Sequence, residues 1–149
     1  MESDEQVVDI LIAEDTLDDI VITKRAFKNA RLANRLFVVR DGQEAIDFLT
    51  HQGEYTDKDK YPRPGLILLD INMPRLNGIE VLKKIKETDE LKKIPVIMLT
   101  VSRRDEDIVK SYDYGCNSFL QKPVDYDNFA DLVAQIGFYW GLLNVNIPK

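Results

Sequence analysis

The sequence is poor in the residues that build many catalytic and metal centres. It has one cysteine, Cys116, and one histidine, His51, among 149 residues. A lone cysteine excludes an internal disulfide, and Cys116 stands in no metal-ligand spacing; a small residue on a helix-to-strand turn is the simpler reading. His51 falls where a helix gives way to a loop and reads as a solvated surface side chain. No glycine-rich phosphate loop is present, which argues against direct use of a nucleoside triphosphate. No apolar run approaches the roughly 18 residues of a membrane span, and Met1 to Gln6 are too polar for a signal peptide. A cytoplasmic location is the expectation. Positive charge is also in deficit: the net charge is −6 and the pI about 4.8. Such a chain repels phosphate backbones, so no nucleic-acid partner is expected.

What is present is an alternation of apolar runs and amphipathic stretches. Hydrophobic residues make up 44% of the chain and charged residues 31%, the balance of a globular protein. Val7 to Ala13, interrupted by Asp9, reads as a strand buried on both faces. Leu17, Ile20, Phe27 and Ala30 follow at helical spacing, and Leu36 to Val39 is a second strand. Asp41 and Glu44 have the spacing of a capping box, ahead of a helix with Ala45, Phe48 and Leu49 inside. A hydrophilic stretch from His51 to Gly65 reads as a long surface loop. Leu66 to Leu69 is the third strand and ends at Asp70. Asn77 and Glu80 form another capping box, opening a helix with Val81, Leu82 and Ile85 inside.

Ile94 to Leu99 is the fourth strand and ends at Thr100. Ser102 and Asp105 have cap spacing for a helix with Ile108, Val109 and Tyr112 inside, and Gly115 suits its stop. Ser118 to Gln121 is a fifth strand, ending at Lys122-Pro123. Asp125 caps a last helix carrying Phe129, Leu132, Val133, Ile136, Trp140 and Leu143. Five strand–helix units predict an α/β fold: a doubly wound, five-stranded parallel sheet in one domain over 1–149, with a core of about 7–143 and tails at 1–6 and 144–149.

In open parallel sheets, ligands bind at the carboxyl ends of the strands. The second predicted strand ends at Arg40 and Asp41, neither of which is assigned to the site. The other four of the five end in polar residues that could do chemistry: Glu14 and Asp15, Asp70, Thr100, and Lys122. Each has a simpler reading alone, as a helix cap, a turn hydroxyl or a solvated lysine. Together they make one complementary set. Three converging carboxylates call for a cation, and an all-oxygen site suits Mg²⁺. A carboxylate nucleophile, a metal, a lysine and a hydroxyl are what phosphoryl transfer to an aspartate requires.

The run Leu68-Leu69-Asp70-Ile71-Asn72-Met73-Pro74, with Asn77-Gly78 after it, resembles the phosphoacceptor segment of two-component response-regulator receiver domains. Glu14-Asp15, Thr100 and Lys122-Pro123 match that family's other motifs in order, so the resemblance covers about Val7 to Leu143. It implies a flavodoxin-like fold with strand order 2-1-3-4-5. It implies that Asp70 takes a phosphoryl group from a sensor histidine kinase or a histidine phosphotransfer protein. Asp15, Asp70 and the Asn72 backbone carbonyl are then ligands of Mg²⁺, and Glu14 holds metal-bound water. Lys122 pairs with the phosphoryl group, its bond to Pro123 is expected to be cis, and Thr100 and Phe119 are the switch residues. Val101 stands where the family commonly has a smaller side chain and could narrow access; Asn72 and Ser102 could tune the lifetime of the phosphorylated form. The long loop and the Phe-Tyr-Trp ending at Trp140 look like stand-alone receivers associated with bacterial phytochromes. With no output domain expected after the receiver, a second apolar stripe on the last helix, Ala134, Phe138 and Leu142, suggests a homodimer.

Two other classes stay in view. A haloacid-dehalogenase-type phosphatase also uses a strand-end Asp, Mg²⁺ and Lys, but wants a second Asp where Asn72 stands. A flavodoxin-like cofactor binder would need a phosphate loop.

Overall fold

A computed structural model describes residues 9–29, 34–101, 113–116 and 118–135, with side chains to 131. The strands are β1 (Ile10–Ala13), β2 (Leu36–Val39), β3 (Leu66–Asp70), β4 (Val96–Thr100) and β5 (Ser118–Gln121). They form one parallel sheet in the order β2-β1-β3-β4-β5, as expected. The described helices are α1 (Leu17–Asn29), α2 (Gly42–Thr50), α3 (Gly78–Glu87) and α4 (Tyr126–Gln135).

Every residue of β1, β3 and β4 is buried, which is why these strands read as continuous apolar runs. The two-residue period of a strand divides them between two cores. Leu11, Ala13, Ile67, Leu69, Val96 and Met98 pack with residues of α2 and α3. Ile10, Ile12, Leu66, Leu68, Ile97 and Leu99 pack with Phe27 of α1 and Phe129 of α4. The sheet is thus covered on both faces, and its carboxyl edge stays available for a site.

Several local expectations shift. β4 begins at Val96, not Ile94, because Pro95 has no N–H for the ladder. Leu17 is exposed; Ile20, Thr23 and Phe27 make the buried stripe of α1 instead. The Asn77–Glu80 capping box is complete. At Asp41 it is displaced by one residue: Asp41 accepts from the Glu44 N–H at 2.8 Å, but the Glu44 carboxylate takes the Arg40 N–H.

The stretch from His51 to Gly65 is more than a surface loop. It holds a 3-10 turn at Gly53–Tyr55, and Tyr55 and Tyr61 pack on the buried ring of Phe48 at 5.1 and 5.8 Å. His51 is half-buried rather than solvated; it ends α2 in the left-handed conformation, and its Nε2 lies 2.9 Å from the Tyr61 carbonyl oxygen. Asp125 accepts from the Asp127 N–H, in keeping with its expected capping role. The expected helix with Ile108, Val109 and Tyr112 lies outside the described residues. So do Ser102, the side chains from Leu132 onward, and the stripe of Phe138 and Leu142. No helix among the described residues is long and apolar enough to cross a membrane.

Candidate phosphoacceptor site

Glu14, Asp15, Asp70 and Lys122 meet at the carboxyl edge of the sheet. β1 delivers Glu14, which is 1% exposed, and then Asp15; β3 delivers Asp70, which is 4% exposed. One oxygen from each of the three carboxylates lies within 4.8 Å of the others. Lys122, just after β5, points its ammonium among them: Nζ is 2.7 Å from Glu14 Oε1 and 3.1 Å from Asp70 Oδ2. A fourth carboxylate joins them, Asp19 of α1, at 3.2 Å from Nζ. The Lys122 N–H donates to the Thr100 carbonyl at 2.8 Å, tying the end of β5 to the end of β4. Thr100 is 3% exposed, and the Lys122-Pro123 bond is cis.

The electrostatics follow from burial and crowding. Burial first, and the charge of Glu14 second, push the Asp70 carboxyl from 3.8 up to about 7, although Lys122 pulls it down. Burial alone would lower Lys122, but its close contacts with the Glu14 and Asp70 carboxylates outweigh that and raise it. The enclosed Glu14 Oε1 has no aligned hydrogen bond; the close Lys122 ammonium serves it as a point charge. Among the described residues, one ammonium stands among four carboxylates, an excess of negative charge. The donor set is all oxygen, which fits a hard divalent cation.

The other expected residues sit around this cluster. Asn72 is exposed and its N–H donates to Asp70 Oδ1 at 3.3 Å. Phe119 is half-buried against the core on the α2 and α3 side, in register with Met98. Val101 is 62% exposed. Asp19 was not foreseen: it lies one helical turn after Asp15, and an acidic residue in a first turn already has a reason in the helix dipole. Its spacing from Asp15 was the available signal.

A doubly wound sheet with carboxylates and a lysine at its carboxyl edge defines an α/β protein equipped to handle a phosphoryl group beside a divalent cation. Comparison with known proteins makes this specific. Residues 10–134 match the response regulator receiver domain, and the chain belongs to that family. It is 38% identical over 139 residues to Response regulator Rcp1 of Synechocystis sp., covering 93% of this chain and 92% of that protein. The solved Mn(2+)-bound form of Rcp1 superposes with a TM-score of 0.71 at 38% identity, over 96% of this chain and 99% of that one. Two bacteriophytochrome response regulators superpose with TM-scores of 0.83. RtBRR is 37% identical over 96% of this chain and 84% of its own; AtBRR is 40% identical over 93% and 98%. The protein is therefore a signalling receiver that accepts a phosphoryl group, and the phosphatase alternative finds no support.

Proposed function

We propose that Asp70 is the phosphoacceptor, and that the donor is a phosphohistidine on a sensor histidine kinase or a histidine phosphotransfer protein. The observation that carries this is the placement of Asp70 at the end of the central strand, with Lys122 Nζ on one oxygen and the Asn72 N–H on the other. An Asp70 oxygen forms the new bond to phosphorus as the bond from phosphorus to the donor imidazole nitrogen breaks. The imidazole leaves with that electron pair.

Lys122 holds positive charge where the phosphoryl oxygens arrive. Thr100, at the neighbouring strand end, supplies a hydroxyl to them. Phe119 is the second switch residue. Glu14, Asp15, Asp70 and the Asn72 carbonyl would hold Mg²⁺. When bound, it neutralises charge on the carboxylates and on the incoming phosphoryl group. The domain assists its own phosphorylation and dephosphorylation and turns over no other substrate.

The likeness to bacteriophytochrome regulators supports a phytochrome-type kinase as the donor. The reading also takes the receiver to be cytoplasmic, to occupy the whole chain, and to pair as a homodimer through the region of Phe138 and Leu142. Sedimentation that finds only monomer at tens of micromolar, with and without an acyl-phosphate mimic, would remove the dimer.

Intact-mass measurement tests the assignment of Asp70. A small acyl phosphate with Mg²⁺ should add one phosphoryl group to the parent and none to Asp70→Asn. Equal labelling of the two would refute it.

A further inference from the structure

The segment from Asp70 to α3 is held in an uncommon shape. Arg75 has φ +68°, in the left-handed region that side-chain-bearing residues seldom adopt. Across it, the Leu76 N–H donates to the Pro74 carbonyl at 2.8 Å. Residues 74–76 thus form the positive-φ γ-turn, which is the strained form. Such a conformation persists only where its surroundings hold it.

The surroundings here belong to the start of α2. Arg75 Nε pairs with Asp41 Oδ2 at 3.3 Å, and Asp41 is the N-cap of that helix. Gly42, the first residue of α2, donates its N–H to the Pro74 carbonyl at 3.5 Å. A Cβ at Gly42 would lie 2.0 Å from the Leu76 carbonyl oxygen, so helix and turn meet backbone to backbone. The other end of the segment rests on Asp70. The Asn72 N–H donates to Asp70 Oδ1, and the Gly78 N–H donates to the Ile71 carbonyl at 2.7 Å. A Cβ at Gly78 would stand 2.2 Å from the Asp70 carbonyl oxygen. Beyond Asp41 lies a cavity of about 350 Å³ lined by Asp41, Glu44, Asp47, Glu54, Tyr55 and Arg75.

We propose that the γ-turn at Arg75 is a strained link that carries the state of Asp70 to the N-terminus of α2 and its acidic cavity, through the Arg75–Asp41 ion pair. The proposal rests on the phosphoacceptor reading of Asp70. Transfer of the phosphoryl group from the donor imidazole converts the Asp70 carboxylate into an acyl phosphate. The Asn72 N–H then loses its charged carboxylate acceptor and meets phosphoryl oxygens instead. The segment 71–77 re-seats on the new group, and the turn at Arg75 is the part with strain to release. Such transmission requires an element with two arrangements that touches both sites; the strained turn seen here is one of them, and its relaxed form is the other that the link needs.

Backbone amide NMR spectra of the full chain, with and without beryllofluoride plus Mg²⁺, test this. In the parent, the amides of Asn72 and Lys122 should shift, and those of 42–55 should shift with them. Asp41→Asn keeps a good N-cap but removes the charge that pairs with Arg75. In that variant Asn72 and Lys122 should respond as in the parent, while the shifts of 42–55 fall to less than half. Arg75→Ala, which leaves Asp41 in place, should give the same loss. Silence of 42–55 in the parent while Asn72 and Lys122 respond would overturn the link, as would full shifts of 42–55 in both variants. A spectrum in which neither Asn72 nor Lys122 responds would overturn the phosphoacceptor reading, and the link with it.

Discussion

Asparagine at position 70 should stabilise the metal-free protein, even though it weakens a contact of the buried Lys122. Glu14, Asp15, Asp19 and Asp70 crowd around one ammonium, so removing one negative charge relieves more repulsion than it forfeits attraction. The magnitude comes from the Asp70 carboxyl, which burial and Glu14 push from 3.8 up to about 7. A folded-state value above the unfolded one means that the fold binds the proton more tightly than the open chain does. The favourable contribution is therefore complete below the unfolded value near 3.8 and is lost as pH rises through about 7. At 1.36 kcal/mol per unit, a rise of about three units sets a ceiling of about 4 kcal/mol. Screening by water at the mouth of the site reduces this to about 1–2 kcal/mol.

Thermal unfolding in a chelator at pH 8 should place Asp70→Asn roughly 2–8 °C above the parent, given about 2–4 °C per kcal/mol for a domain of this size. At pH 5, where the folded carboxyl is protonated but the unfolded one is still ionised, the difference should narrow to about a third, and it should close only as pH falls to about 3.8. Mg²⁺ at pH 8 should raise the parent more than the variant, because the variant offers the cation one carboxylate fewer. A variant less stable than the parent in chelator at pH 8, or a gap of equal size at pH 5 and pH 8, would refute this account of the site.

Lys122→Ala should act in the opposite sense. It leaves the enclosed Glu14 carboxylate without its ion-pair partner and should cost about 3–5 kcal/mol in chelator, measured by urea unfolding, with part restored by a divalent cation. Gly42→Ala should lower stability by about 3 kcal/mol or more, because its Cβ would meet the Leu76 carbonyl and backbone cannot step aside cheaply; a thermal midpoint within 2 °C or so of the parent would contradict that contact. Burial first, then the bond to Glu44, raises Tyr55 above the ordinary 10. Burial also raises Tyr126, by less; in an alkaline titration followed by tyrosinate absorbance, Tyr55 should be the later of the two to ionise, and Tyr55→Phe should remove that last step.

The architecture was readable because burial wrote it directly into the chain. β1, β3 and β4 have apolar residues wherever the sheet is covered on both faces, and polar residues begin where the covering ends. That same boundary marked Glu14, Asp70 and Thr100, so finding the strands and finding the site were one inference. What escaped has no period in sequence. Tyr55 and Tyr61 reach Phe48 from irregular backbone, where no spacing rule relates position to face. The close approaches at Gly42 and Gly78 exist only once α2, β3 and the 71–77 segment are side by side. The Glu44 carboxylate found the Arg40 N–H instead of the neighbouring one, a displacement smaller than pattern matching resolves.

The sequence alone did not rank the four carboxylates by role except through the family motif. Their surroundings separate them. Glu14 has one oxygen 2.7 Å from Lys122 and the other accepting the Thr16 N–H at the start of α1, so both are committed. Asp15 and Asp19 are half-buried, at the rim of the site. Asp70 ends the central strand and is buried, and burial and Glu14 push its carboxyl well above the usual range. Its Oδ1 accepts the Asn72 N–H at 3.3 Å, longer than the Lys122 contact at Oδ2. A buried carboxylate pushed well above its ordinary range, with a long bond at one oxygen, is one whose conversion to an acyl phosphate disturbs its neighbours. This supports Asp70 as the acceptor on grounds independent of the motif. It also explains why the 71–77 segment, anchored on that oxygen, is the part of the fold best placed to register the change.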